Sequence, residues 1–286
     1  MRYKIFDVFA DKPFEGNPTG VVYCDHDIGK KTMQAIASEI SVPDTIFLLE
    51  SNDPTLTFSS LAFSPYEELK ICGQGIVGAM FSLLEDRNIS EGLHEIETSL
   101  GRSQVFIEGA VKPIIYTSLG NPEITEVGTQ IFLNILQDLN LASVIDIYSR
   151  TSIVDLGRIR LLIEVPSTIL KSISVNPSDI MQVFKKFGIN GIVFFSQDSG
   201  DKNTFRSRHF TTSLNGNEDA VTGGASGAIY AFAKSLNLVH SNSVIVHQGG
   251  FTTRDGYIFV KSVENNPEIF IGGRAVKTME GQFYYG

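Results

Sequence analysis

The sequence is short of several things, and each shortage excludes a class of protein. Only two cysteines, Cys24 and Cys72, occur in 286 residues. They are too sparse for a disulfide framework, so a reducing cytoplasm is the expected compartment. Basic residues are outnumbered, 23 Lys and Arg against 32 Asp and Glu, for a net charge of −9. Without a basic tract, nucleic acid is not an expected partner, because neutralising phosphates needs clustered positive charge. No run approaches the roughly 18 uninterrupted apolar residues of a membrane span. The opening Met1-Arg2-Tyr3-Lys4-Ile5-Phe6-Asp7 lacks the apolar core of a signal peptide, so no membrane is expected either. A dinucleotide fingerprint is also missing. Gly73-x-Gly75-x-x-Gly78 has the glycine spacing, but no acidic residue follows at the expected distance in a strand context.

What is present is apolar and repetitive. Hydrophobic residues make up 42% and charged residues 19%, a soluble globular balance, and the length suits two domains of ordinary size. One glycine-rich helix start occurs twice. The first reads Cys72-Gly73-Gln74-Gly75-Ile76-Val77-Gly78-Ala79 and the second Thr222-Gly223-Gly224-Ala225-Ser226-Gly227-Ala228. Each follows a strand-like stretch, 58–63 and 205–210. The strands are offset by 147 residues (205 − 58) and the glycines by 150 (223 − 73), which suggests a duplicated unit. A glycine-rich turn opening an apolar helix leaves backbone N–H groups at a positive dipole end, where an anion can bind. Two such ends suggest a carboxylate gripped from both halves; the plainer reading is that the glycines only let a buried helix approach a strand.

Strands are expected at 3–9, 21–23 and 45–49, with a helix after Asp27 carrying Met33, Ile36, Ala37 and Ile40, and Asp27 as its N-cap. Leu119-Gly120-Asn121-Pro122 reads as a linker. The domains are therefore 1–120 and 121–286, the last residues being free to cross back to the first. The second half repeats the theme with a strand at 161–165, a helix opened by Pro177, a strand at 192–195 and a closing run of strands. Many short strands with one long apolar helix per half predict an α+β fold. Cys24-Asp25-His26-Asp27 reads as a solvated turn, and no metal site is expected. His94, His209, His240 and His247 are scattered singly, with His209 nearest the repeated loop.

At Asp7-Val8-Phe9, Phe14-x-Gly16-Asn17-Pro18 and Val21-Val22 the chain resembles the phenazine-biosynthesis PhzF-like family. The likeness continues through residues 33–37, Thr45-Ile46-Phe47, Phe63-Ser64-Pro65, residues 69–73 and Glu218-Asp219-x-Val221-Thr222-Gly223. It closes at Gln248-Gly249 and Gly272-Gly273-x-Ala275-Val276. The resemblance implies a diaminopimelate-epimerase-like fold: two similar domains, each a mixed sheet or barrel around a central helix, with the active site in the cleft between. It also implies a cofactor-free isomerase, typically a homodimer. Two positions depart from the family: its acid/base glutamate is here Asp44, and its Gly-His site is here Gly73-Gln74. The carboxylate before the Val-Thr-Gly turn is kept as Asp219.

The resemblance gives Asp44 the role of proton-transfer group, although by sequence alone it reads as a residue at a strand start. Asp219 reads as an N-cap, an orienting group, or both. Gln74 can donate and accept a hydrogen bond but takes no proton near neutral pH. Asn17, Gly73, Gly75, Thr222, Gly223 and Gly224 are the expected substrate-binding positions. Two carboxylates facing one enclosed site should raise one apparent pKa. Cys72-Gly73-Gln74-Gly75 also resembles the Cys-Gly-Asn-Gly loop of diaminopimelate epimerases, and a thiol at a helix N-terminus can have a lowered pKa. The expected function is thus a cofactor-independent isomerase moving a proton on a small, anionic, carboxylate-bearing substrate. The alternatives are a thiol epimerase or racemase using Cys72, and a binding protein that kept the site and lost the chemistry.

Overall fold

The computed structural model describes residues 1–284 apart from Asn52, Ile71, Phe251 and Asn265; Ile71, inside the 69–73 match, therefore lies outside the described residues. The chain divides into two compact units, Met1–Ser118 with Ile271–Gly286, and Leu119–Phe270. It is an α+β fold in both, as the sequence predicts.

The first unit begins with β1 (Arg2–Val8) and β2 (Asn17–Cys24), paired antiparallel. Helix α1 (Gly29–Ile40) crosses to β3 (Asp44–Leu49), which lies parallel to β2. β4 (Phe58–Phe63) returns antiparallel to β3, and the two-residue β5 (Glu68–Leu69) turns back onto β4. Helix α2 (Gly73–Glu85) follows, then β6 (Gly92–Thr98), β7 (Gly101–Glu108) and β8 (Ile114–Ser118), with β6 parallel to β4. The two helices differ as their sequences do. α1 buries one stripe, Met33, Ile36 and Ala37, against the sheet. α2 is apolar nearly all round, with Gly75 to Met80 and Ser82 buried, and it packs on β1, β2, β3 and β8. A helix without a polar face belongs in an interior.

The second unit starts with β9 (Glu123–Glu126) and α3 (Thr129–Asp138). It then follows the first unit's path: β10 (Thr151–Asp155), β11 (Ile159–Glu164), the short α4 (Ser167–Ser172), α5 (Pro177–Phe187), β12 (Gly191–Gln197), β13 (Thr204–Thr211), β14 (Glu218–Asp219), α6 (Gly223–Ser235), β15 (Ser243–Gly249) and β16 (Asp255–Ser262). β11 and β12 are parallel, β13 is antiparallel to β12, and β15 is parallel to β13. These are the relations of β2, β3, β4 and β6. α6, like α2, is buried along most of its length. Along β17 (Ile269–Gly273) the chain passes back to the first unit, where β18 (Ala275–Gln282) pairs antiparallel with β1.

Both long helices begin at the expected glycines. Two capping expectations need correction. Ile28, not Asp27, is the N-cap of α1, and Asp27 Oδ1 accepts from the Gly29 N–H at 2.8 Å. Thr222, not Asp219, occupies the N-cap of α6. Nor is Cys24 solvated: it ends β2 with its thiol in the core, and burial pushes its pKa up to about 11.

Candidate functional site

In the first unit, the strand β3 and the start of α2 bring Asp44 and Cys72 together. Asp44 is the half-buried first residue of β3. Cys72 is the N-cap of α2, and its Sγ lies 3.4 Å from Asp44 Oδ2. The sulfur also accepts from the Gly75 N–H at 3.2 Å. Residue 75 must be glycine for this cap, since a Cβ there would fall 2.7 Å from the sulfur. Burial, joined by the Asp44 charge, pushes the Cys72 thiol well above its ordinary range. The lowered thiol pKa expected of a helix N-terminus is thus overturned, because desolvation and a neighbouring carboxylate outweigh the dipole. The thiol is neutral and donates to Asp44.

Gln74 is half-buried and points its amide at β2, Nε2 donating to Thr19 Oγ1 at 2.7 Å and to the Pro18 carbonyl at 3.2 Å. A carbonyl can only accept, which fixes the orientation of the amide. The side-chain oxygen of Gln74 is therefore the atom turned away from β2. Asn17 is buried as the first residue of β2, opposite Val8. With the Gly75 amide taken by Cys72, Gly73 and Gln74 carry the remaining first-turn N–H groups of α2.

The second unit builds a hydrogen-bonded cluster around Thr222. Its hydroxyl lies 2.5 Å from Asp219 Oδ2, 2.9 Å from His209 Nδ1 and 3.1 Å from Gln248 Nε2. The carboxylate can only accept and Gln248 Nε2 can only donate, so the single hydroxyl proton goes to Asp219. His209 must then donate through Nδ1. Burial, with the charges of Arg160 and Arg158, pushes the His209 pKa well below the usual imidazole range. The neutral ring therefore carries a bare Nε2, buried without a partner. Gln248 also donates to the Asp219 carbonyl at 2.9 Å and accepts from the Thr222 N–H at 3.3 Å. No side chain caps α6, so Gly223, Gly224 and Ala225 present the first-turn N–H groups.

Of the residues expected from sequence, Asp44, Cys72, Gln74, Gly73 and Gly75 gather at the start of α2, and Asp219, Thr222, Gly223 and Gly224 at the start of α6. Three further members were given no role from sequence, although His209 was noted as nearest the repeated loop. His209 could have been found as the β13 residue paired with Asp219. Arg160 could have been found as a charge set directly before the apolar run 161–163 in its strand. Gln248 carried no signal beyond its place in the closing motif. Among the described residues no group of three or more His, Cys, Asp and Glu is placed to hold a metal ion.

A family model, phenazine biosynthesis-like protein (PhzC-PhzF), matches residues 6–281. An uncharacterized isomerase of Escherichia coli K12, YddE, is 30% identical over 94% of each chain. The trans-2,3-dihydro-3-hydroxyanthranilate isomerase of Pseudomonas chlororaphis is 25% identical, covering 91% of this chain and 90% of its own. The Bacillus anthracis phenazine biosynthesis protein of the PhzF family superposes with a TM-score of 0.86 at 23% identity, covering 100% of this chain and 99% of its own. With a match running from residue 6 to 281 and relatives named as isomerases, the chain belongs to the phenazine biosynthesis-like family and is an enzyme of the isomerase type.

Proposed function

We propose that this chain is a cofactor-independent isomerase that shifts a proton on a small carboxylate-bearing substrate, with Asp44 as the proton-transfer group. The observation that supports this reading is the Asp44–Cys72 pair at the start of α2. A neutral thiol donating to Oδ2 favours the anionic carboxylate, the form a base needs. Asp44 takes a proton from a substrate carbon whose electrons pass into an adjacent conjugated system. The same carboxyl then returns the proton to another carbon, so no atom is lost and no oxidant is required. The N–H groups of Gly73 and Gln74 face a substrate anion, and the Gln74 carbonyl oxygen accepts from a substrate hydroxyl or amine. Asp219, held by Thr222, orients a polar substrate group, and Thr222, Gly223 and Gly224 line the second anion position. The family resemblance adds a homodimer, testable as a sedimentation mass twice the chain's 31.4 kDa.

The test is deuterium wash-in from heavy water across a panel of small cyclic and acyclic carboxylates. Turnover in Asp44→Asn is expected to fall about 10²–10⁴-fold, as general acid–base loss does. Asp219→Asn should lose less. Wild-type exchange in Asp44→Asn together with a dead Cys72→Ala would replace this mechanism with a thiol epimerase. No exchange in the wild-type chain with any ligand that binds would favour a binding protein.

A further inference from the structure

Beside the start of α6 lies a positive charge that forms no ion pair among the described residues. Arg160, the second residue of β11, is 5% exposed. Its Nη1 donates to the Arg158 carbonyl at 3.0 Å, while Nε reaches no acceptor, and among the described residues it forms no ion pair. The guanidinium lies against the first turn of the helix. A Cβ on Gly224 would fall 2.6 Å from Nη2 and 3.2 Å from Nη1. Gly224 is half-buried, so this spot reaches solvent.

Among the described residues no carboxylate is in hydrogen-bond contact with the guanidinium. Arg158 Nη2 donates to Thr212 Oγ1 at 2.8 Å. Asp155 and Asp219 act on Arg160 only through space, and Asp155 Oδ1 is itself buried without a partner. His209 is neutral. Burial, then the Arg158 charge, lowers the Arg160 pKa to about 10, which leaves it cationic at neutral pH. A desolvated cation with a single carbonyl acceptor is costly to keep. The guanidinium occupies the space that a side chain at residue 224 would need, which sets it beside the uncapped first turn of α6. A planar carboxylate complements that arrangement, one oxygen on the guanidinium and one on the helix.

We infer that Arg160 is an anion-binding residue, which together with the N–H groups of Gly223 and Gly224 holds the substrate carboxylate. The word substrate rests on the proposed isomerase reading; the carboxylate site itself does not. The experiment is a titration of the ¹⁵N-labelled chain with sodium benzoate and sodium malonate, ionic strength held constant with chloride. The Arg160 Nε–H and the Gly224 amide are followed, the former assigned by its loss in Arg160→Gln. Both signals should move together and saturate. The dissociation constant should weaken about 10- to 100-fold in Arg160→Gln, the range for a hydrogen bond to a charged group. Gly224→Ala, which puts a methyl where the guanidinium lies, should weaken it as well, whereas Lys186→Gln, an exposed residue paired with Asp138, should bind as wild type does. If neither arginine nor glycine variant folds, the Gly224 amide in the wild-type titration still decides. Signals that stay still with carboxylate, or move equally with chloride, overturn the inference. So does an Nε–H that shifts only on Asp155→Asn, which would make the arginine half of an internal pair. A silent Asp44→Asn in the exchange assay beside an intact titration sinks neither site; catalysis surviving the loss of all carboxylate binding sinks this one alone.

Discussion

A buried thiol beside a carboxylate is held protonated twice over, once by desolvation and once by charge, and Cys72 has both neighbours. Cys24, buried in the core, is pushed up to about 11 by burial and then by Asp25. Iodoacetamide at pH 8 should therefore leave the native chain unmodified and label both cysteines in urea, read by intact mass. Rapid native labelling at Cys72 would contradict its geometry. His209 gives a second expectation. Its folded pKa is depressed, so below about pH 6.5 the unfolded chain binds a proton that the folded chain refuses. The sign follows: stability falls as pH drops from 7 toward 5, by at most about 1.4 kcal/mol per pH unit from this group. His209→Asn keeps a donor toward Thr222 and cannot titrate, so urea midpoints across this range should flatten relative to wild type. The glycines were legible because the repeat marked them, whereas Asp44 and Asp219 were marked only through the family resemblance. It missed the direction of the Cys72 shift, because a helix start is visible in a string of letters and a carboxylate arriving from another strand is not.

Among the elements, the end of α2 is fastened to β1 by charge. Lys4, only 2% exposed, places Nζ 2.8 Å from both Glu85 Oε2 and Asp86 Oδ1, and Arg2 and Tyr23 also donate to Asp86. Burial alone would raise the Asp86 pKa, but hydrogen bonds from Lys4, Tyr23 and Arg2 bring it down to about 2. A depressed carboxylate stabilises above its unfolded pKa and loses that contribution as pH falls through the folded value. Asp86→Asn should thus cost about 2 kcal/mol at neutral pH, with the difference from wild type fading between about pH 4 and pH 2. Chemical denaturation at several pH values checks it. The repeated strand–helix path was legible because α2 and α6 are apolar on every side. By contrast, α3 escaped notice: its buried stripe is only Phe132, Ile135 and Leu136, while Ile131 faces solvent. The two paths also differ where it counts. Gln74 reaches Thr19, which pairs with the first residue of β3, whereas Gly224 faces Arg160, which pairs with the first residue of β12. The same order of strands and helix thus carries different polar groups in the two units.

For the whole molecule, the order of residues in the chain is not the order in which its parts can be finished. The second unit is one continuous stretch, Leu119–Phe270, whereas the first needs residues from both ends. β1 pairs with β18 from Arg2 opposite Gln282 to Val8 opposite Ala275. A ribosome working at about 5–20 residues per second therefore leaves the β18-facing edge of β1 open for most of synthesis, although β2 can pair its other edge at once. Released chains truncated after Gly273 should show amide protection in the second unit and none along the β18-facing edge of β1, measured by hydrogen exchange. Until the last strand emerges, that edge is an open template for other chains. The β18-facing edge of β1 is thus secured only after the whole second unit has been made, and crowded, fast translation is where this protein should be most prone to aggregate.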